Sequence, residues 1–340
     1  MKSWVGTQSA RAVARVLVLA LTFLGTFSGC AERAAPAAES PVIRLGTYEW
    51  PGSYWIDVAW EKGWFAEAGL TVERIDTDKR YFAALEDVVS GKLDGMGFTQ
   101  FDLVRHVAAG HDLVGIAAID YSDGAEALIA RPGIKRLSDL RGKRLALHRG
   151  TYLEYLLTRV AERDHVDLND ITLIDRSGDD AVLDITAGRV DAVFVWEPYA
   201  GEAQLAVDGV RLFSTSEIPS LTYSVFSMRR QFIDEHPAEV QKLMDVWQRT
   251  VQFIREHPHE STLLVAKSFS ESVADIRQLM IRDRILDAAD NGRAFSYGAG
   301  FESLHGSWRR MNDFMIERHL VARRVDSSEH LDSRFVRALD

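Results

Sequence analysis

Apolar and polar positions along the chain follow two rhythms that take turns. Residues 42–48, 70–75, 93–98 and 113–119 are apolar runs of strand length. Between them, residues 54–66, 82–90 and 101–109 carry apolar side chains at helical spacing. The pattern resumes with strands predicted at 144–148, 171–174 and 190–195, and helices at 152–163 and 181–187. Alternation of this kind, with glycines at helix ends, predicts an α/β fold with mostly parallel strands. From Pro237 the rhythm is helical to about residue 319, interrupted at Pro258 and near Asn291-Gly292. In the first helix, Trp55 and Trp60 form i,i+4 pairs with Ala59 and Ile56 and are expected to pack on the core.

The first 29 residues stand apart from this pattern. Lys2, Arg11 and Arg15 precede a nine-residue apolar run, 16–24, followed by small residues. This reads as an export signal, since a membrane-spanning helix needs about 20 apolar residues. Cys30 is the only cysteine, which excludes disulfides within the chain and any metal site built on several thiolates. The run Phe27-Ser28-Gly29-Cys30 resembles a bacterial lipobox, with Phe27 where that motif usually has Leu. The resemblance implies that Cys30 is acylated and becomes the mature N-terminus. Residues 30–41 follow as an Ala/Pro/Glu-rich tether, so the domain is expected to be lipid-anchored to a bacterial membrane, periplasmic or at the cell surface. The alternative is an ordinary secretory signal with an incidental cysteine.

Charge narrows the partners. The chain carries −10, and the three basic and no acidic side chains of its first 29 residues leave −13 on the rest. A surface this acidic argues against nucleic acid. With 46% hydrophobic residues the chain is globular in composition, and it is long enough for two lobes.

An internal echo supports two lobes. Residues 88–98, VVSGKLDGMGF, and 185–195, ITAGRVDAVFV, share a helix end, a Gly, a basic residue, an apolar residue, an Asp and then a strand. A weaker echo links IRLGTYEWPG to KRLALHRGTY.

Four segments in order, GSYWIDVAWEKGWFAEAGL, SGKLDGMGF, SDGAEALIARPGIKRLSDLRGKRLAL and AGRVDAVFVWEPYAGEA, resemble the substrate-binding proteins of nitrate/sulfonate/taurine-type ABC importers. The resemblance covers residues 43–225 and, more loosely, the helical tail. It implies an α/β, two-lobed periplasmic-binding-protein type II fold, each lobe a mostly parallel sheet flanked by helices, with a helical C-terminal extension. Mapped here, lobe one is residues 42–130 plus 223–340 and lobe two is 131–222, with hinge crossings near Ala130 and Thr222. The implied partners are a small-molecule ligand and the ABC permease and ATPase subunits, with the chain a monomer.

Ligands in open α/β sheets sit beyond the carboxyl ends of strands, beside helix N-termini. Trp50 and Tyr54 in EWPGSYW are therefore expected to face ligand, with Glu49 left open. Thr99 and Gln100 open one helix, and Gly150, Thr151 and Tyr152 another, where free N–H groups suit an anion or a carbonyl oxygen. Trp196, Glu197 and Tyr199 end the strand 190–195, and Tyr121 and Asp123 follow the strand 113–119. Capping and core packing are competing roles for several of these: Thr99 as an N-cap, Trp196 as core, Asp123-Gly124 as a turn.

Signatures of catalysis are thin. No GxSxG, HExxH, Walker loop or GxGxxG occurs in the mature chain, and His257 and His259 flank a helix-breaking Pro258. No cofactor or metal is implied. The candidate residues are rich in Trp and Tyr, with Glu49, Asp123, Glu154 and Glu197 near them and Arg149 as the main base. A cation over a desolvated aromatic face gains about 2 kcal/mol, whereas a helix N-terminus gives an anion roughly 0.3–1 kcal/mol. An amine or a flat heteroaromatic ring is thus favoured over a bare inorganic anion, with sulfonates, taurine-like amines and heteroaromatic precursors as the classes to consider. The same fold could alternatively feed a membrane sensor, or serve an enzyme of pyrimidine or menaquinone synthesis, which the export signal argues against.

Overall fold

The computed structural model describes Met1 and residues 40–337. The expected signal segment, Cys30 and nearly all of the tether lie outside the described residues. Strands β1 (Val42–Thr47), β2 (Thr71–Asp76), β3 (Gly95–Thr99) and β4 (Leu113–Ser122) begin one sheet, A. The chain then builds sheet B from β5 (Glu126–Ala130), β6 (Arg144–Leu147), β7 (Thr172–Asp175), β8 (Ala192–Trp196) and β9 (Val210–Ser214). It returns to sheet A with β10 (Tyr223–Arg229) and the short β11 (Asp283–Ile285). Strand order is β11-β4-β10-β3-β1-β2 in sheet A and β7-β6-β8-β5-β9 in sheet B.

Each sheet is mostly parallel around one inserted antiparallel strand, and in sheet A the short edge strand β11 also opposes its neighbour β4. In sheet A, β10 runs between β3 and β4 and opposes both; in sheet B, β5 runs between β8 and β9 and opposes both. The apolar run that makes β4 is buried over nearly its full length because helices cover the sheet. The α/β architecture expected from the sequence is present, with its helical C-terminal extension. There the helix Pro237–Glu256 packs on Tyr54–Lys62 and the helix Leu304–Glu317 on Gln100–Ala108, burying Trp247 and Trp308 completely.

The internal echo has a structural basis. Gly91 and Gly188 hold φ of +79° and +70°, the left-handed turn that ends each helix without a Cβ clash. The Asp that follows ties down a backbone amide of the neighbouring strand: Arg44 N–H in β1 donates to Asp94 Oδ2 at 2.9 Å, and Arg144 N–H in β6 to Asp191 Oδ2 at 2.8 Å.

Three expectations need correction. Residues 126–130, assigned to lobe one, pair with β8 and β9 in sheet B, so the first crossing is at residues 123–125 and not near Ala130. The Asp123-Gly124 turn ends β4, and a new apolar run starts directly after it. Trp60 is 44% exposed, because it overhangs the last turn of its helix, while Trp55 is buried and meets Phe226 edge-on at 5.2 Å. Asn291-Gly292 does not interrupt a helix but lies within one, Ala288–Ala294. The Asn291 amide mimics a strand partner there, donating to Ala118 O at 2.8 Å and accepting from Ala118 N–H at 2.7 Å.

The two crossings between sheets lie side by side. Ser122 Oγ and Thr215 Oγ1 are 2.6 Å apart, and Gly124 N–H donates to Thr215 Oγ1 at 2.9 Å. Among the described residues no helix is long and apolar enough to cross a membrane.

Candidate functional site

A cavity of about 450 Å³ opens where the carboxyl ends of both sheets meet. Sheet A supplies it from the ends of four strands, β1, β2, β3 and β4. After β1 the chain runs Tyr48-Glu49-Trp50, and Trp50 is extended (φ −145°) ahead of Pro51, as a residue before proline must be. Trp50 lines the cavity. Gly52 then passes so close to β4 that a Cβ there would stand 1.9 Å from Asp120 Oδ2. After β2, Lys79, Tyr81 and Phe82 reach the cavity, and the Tyr81 hydroxyl is fixed by donating to Asp102 Oδ2 at 2.9 Å while accepting from Thr99 N–H at 3.0 Å. Tyr48 meets Tyr81 edge-on at 5.2 Å.

Sheet B supplies the opposite wall. Thr151 caps the helix Tyr152–Arg163, accepting from Leu153 N–H at 3.3 Å and donating to His148 O at 2.7 Å; His148, Thr151 and Tyr152 all line the cavity. From the end of β8 come Trp196, Glu197 and Tyr199, the two rings 5.5 Å apart at 81°. Phe82 and His148 meet edge-on at 5.4 Å and bridge the two walls.

Of the residues singled out in the sequence, Trp50, Thr99, Thr151, Tyr152, Trp196, Glu197 and Tyr199 are brought together on the cavity. Five are not. Tyr54 is fully buried and packs toward Phe269 at 6.0 Å, since the turn Pro51–Ser53 rotates it into the core. Gln100 is also fully buried, its Nε2 donating to Leu304 O at 2.7 Å and pinning the C-terminal helix. Tyr121 packs edge-on against Tyr223 at 5.9 Å. Strand alternation sends its neighbours Asp120 and Ser122 into the cavity and Tyr121 to the other face. Asp123 is exposed and borders a separate shallow depression beside Arg255 and Arg284. Gly150 serves the helix start, its N–H donating to Glu154 Oε2 at 2.9 Å.

Sequence reasoning missed the loop after β2, although the strand-end rule that found the other segments applies to it equally. It also missed Asp120 and Ser122, which the two-residue period at the β4 end would have found, and Glu126, the first residue of β5. Glu271 and Leu279 come from the helical tail, where no local pattern signals a site.

The electrostatics are acidic. Partial burial, with Glu271 and Asp78 repelling, pushes the Glu49 carboxyl up to about 7. Complete burial pushes Asp120 up to about 7 despite help from Ser224, whose N–H donates to Oδ1 at 3.2 Å. Glu126 is raised by burial, with Ser122, Tyr152 and Thr215 pulling it back. Behind Asp120, burial and the charges of Asp120 and Glu126 raise Asp283 well above the carboxylate range. Burial also raises the phenols of Tyr48, Tyr81 and Tyr152, so they stay neutral donors. Glu197 is held differently: Arg211 lies 3.0 Å and Arg282 3.5 Å from Oε1, and Gly201 N–H donates to Oε2 at 2.8 Å. No group of three or more His, Cys, Asp or Glu side chains suited to a metal ion occurs among the described residues.

Residues 50–261 match the family model described as NMT1/THI5 like. The putative aliphatic sulfonates-binding protein of Bacillus subtilis (strain 168) is 22% identical over 331 residues, covering 95% of each chain. Among solved structures, the periplasmic aliphatic sulphonate binding protein SsuA from Escherichia coli superposes with a TM-score of 0.72 at 20% identity, over 86% of this chain and 92% of that one. The desulfurization enzyme DSZB superposes with a TM-score of 0.60 at 17% identity, over 87% and 98%. These likenesses bear out the two-sheet binding-protein fold, which serves binding proteins and an enzyme alike.

Proposed function

The chain belongs to the NMT1/THI5-like family, and on that premise we propose that it is the extracytoplasmic solute-binding component of an ABC importer. It captures a small organic solute in the cavity between the sheets and delivers it to permease and ATPase subunits. The observation that carries this reading is the cavity itself, walled by aromatic side chains from the strand ends of both sheets and of a size suited to a small molecule. The sulfonate-binding names of the relatives support the solute-binding role, and leave sulfonates, taurine-like amines and heteroaromatic precursors as candidate classes.

In this reading residues 42–122 with 223–337 move as one lobe and 126–214 as the other, the paired crossings acting as the hinge. A ligand that touches Trp50 and Tyr81 on one side and Trp196 and Tyr199 on the other favours the closed population. Acylation of Cys30 holds the domain at the membrane on its tether.

A thermal-shift panel of sulfonates, taurine, nitrate, pyrimidines and aromatic amines tests the binding role. At least one compound should raise the melting temperature, and the rise should vanish in Trp196→Ala. A panel with no stabilising compound overturns the reading. Labelled palmitate should enter the wild-type chain and not Cys30→Ser; membrane retention of Cys30→Ser would sink the anchor.

A further inference from the structure

Among the described residues six carboxyl side chains line the cavity, Glu49, Asp78, Asp120, Glu126, Glu197 and Glu271, against one cationic side chain, Lys79. Acidic walls alone specify nothing, because carboxylates are commonly solvated. Two further features say what these face.

One donor at each of three helix starts is already taken. A helix N-terminus binds an anion through N–H groups left free. Here the Thr99 hydroxyl accepts from Asp102 N–H at 3.1 Å, and the Glu154 carboxylate accepts from Gly150 N–H at 2.9 Å. Glu197 fills the third helix start, on Gly201 N–H. The nearby guanidinium groups are spent in the same way: Arg211 and Arg282 lie on Glu197, and Arg149 and Arg318 lie 3.6 Å from Glu154. Arg149, the base that the sequence offered to an anion, does not line the cavity.

The second feature is Asp120. It lines the cavity at 1% exposure, and its Oδ2 has no hydrogen-bond partner among the described residues beyond a minor pull from Gly52 N–H. An unpartnered buried carboxylate oxygen is costly unless something supplies a donor or a positive charge.

Resting on the solute-binding reading above, we infer that the ligand of this cavity is an organic cation, a protonated or quaternary nitrogen on a flat apolar body, and not a sulfonate. The body lies between the rings of Tyr48 and Tyr81 on one wall and Trp196 and Tyr199 on the other. The nitrogen faces the carboxyl groups of sheet A. Rings and carboxylates together replace the water that the cation gives up. Glu49 is met by Glu271, Asp78, Asp275 and Lys79, and Asp120 by Glu126 and Asp283, so a cation relieves repulsion that no side chain of the cavity wall but Lys79 relieves.

Calorimetry on the full chain with two flat probes of similar size, benzamidinium and benzenesulfonate, tests this. Benzamidinium should bind, and bind about fivefold or more tightly at about pH 8 than at about pH 6, because protonation of Glu49 and Asp120 competes with the cation. Glu49→Gln should weaken it about tenfold at about pH 8, while leaving the melting temperature of the free protein in place at about pH 4, where the wild-type carboxyl is protonated. Benzenesulfonate should give no heat. Benzenesulfonate binding that is lost in Trp196→Ala overturns the cation and leaves the solute-binding role standing. Benzamidinium binding that is no tighter at the higher pH, or is unchanged in Glu49→Gln, also overturns the cation. If neither probe binds but a neutral or anionic compound of the solute panel does, the cation falls alone. If no compound of either set binds, both readings fall together.

Discussion

The wall that sheet B turns to the cavity carries Glu197 between two guanidinium groups, with its second oxygen on a helix N–H. Across the cavity, sheet A presents Asp120, one oxygen on Ser224 N–H and the other with no more than a minor pull from Gly52 N–H, and Glu49, whose own N–H leans on Asp78 while its carboxyl meets like charges. The residue chemistry is the same on both sides and the circumstances are opposite. A carboxylate between two arginines is a structural part, and removing it strands two cations. A carboxyl group driven upward by burial and repulsion holds free energy in reserve for whatever neutralises it.

The largest expected consequence of this asymmetry is in the pH dependence of folding. The Asp120 carboxyl is raised from an ordinary value near 3.8 to about 7, so between those values the native state keeps a proton that the unfolded chain has released. Stability contributed by this site is therefore present in full below about pH 4 and is lost as pH rises toward 7, by at most about 4 kcal/mol. Urea denaturation at a series of pH values should show the decline. Asp120→Asn, whose carbonyl can keep the Ser224 N–H, should flatten it; an equally steep curve in that variant would show that the penalty lies elsewhere.

Next in size is Glu197→Ala. Leaving Arg211 and Arg282 unpaired and the helix start uncapped should cost about 3 kcal/mol, read as a lower denaturation midpoint. A cost under about 1 kcal/mol would mean that the pairing on sheet B is only a surface ion pair. The smallest effect is expected for Glu49→Gln at about pH 4, where the Glu49 carboxyl is protonated, within about 0.5 kcal/mol of wild type, since no bond to its side chain holds the fold. If that variant unfolds readily, the contrast between the two walls is wrong.

Much of the frame was legible before any coordinates. Most strands follow their apolar runs, because a run covered by helices on both faces has no polar position to hide; β4 instead continues through Asp120, Tyr121 and Ser122. The Gly-x-x-Asp echo reflects a shared physical job, a left-handed helix end followed by a carboxylate that grips a backbone amide of the neighbouring strand, at Asp94 and again at Asp191. The rule that ligands sit beyond the carboxyl ends of strands picked out most of the segments that the cavity draws on. Side-chain direction was harder to read. Tyr121 was chosen for its chemistry, while the two-residue period of β4 gives the cavity to Asp120 and Ser122. Gln100 and Tyr54 were chosen for position beside a helix start, and both are claimed by the C-terminal helices, whose packing no local pattern reports. Glu271 and Leu279 reach the cavity only because those same helices fold back over sheet A.

The place of β10 sets an order on assembly. All five strands of sheet B lie between Glu126 and Ser214, so that sheet can form from a continuous stretch of chain. Sheet A cannot. Without β10 it consists of two separate pieces, β3-β1-β2 and β11-β4, which nothing else in the sheet joins. Closing it means bringing residue 223 back beside residue 121 across the whole of sheet B, and a loop of that length is entropically costly while it is floppy. Once sheet B has folded, its two ends are held against each other by Ser122, Gly124 and Thr215, and the long loop becomes a short one. The inserted sheet thereby acts as a splint for the one that surrounds it.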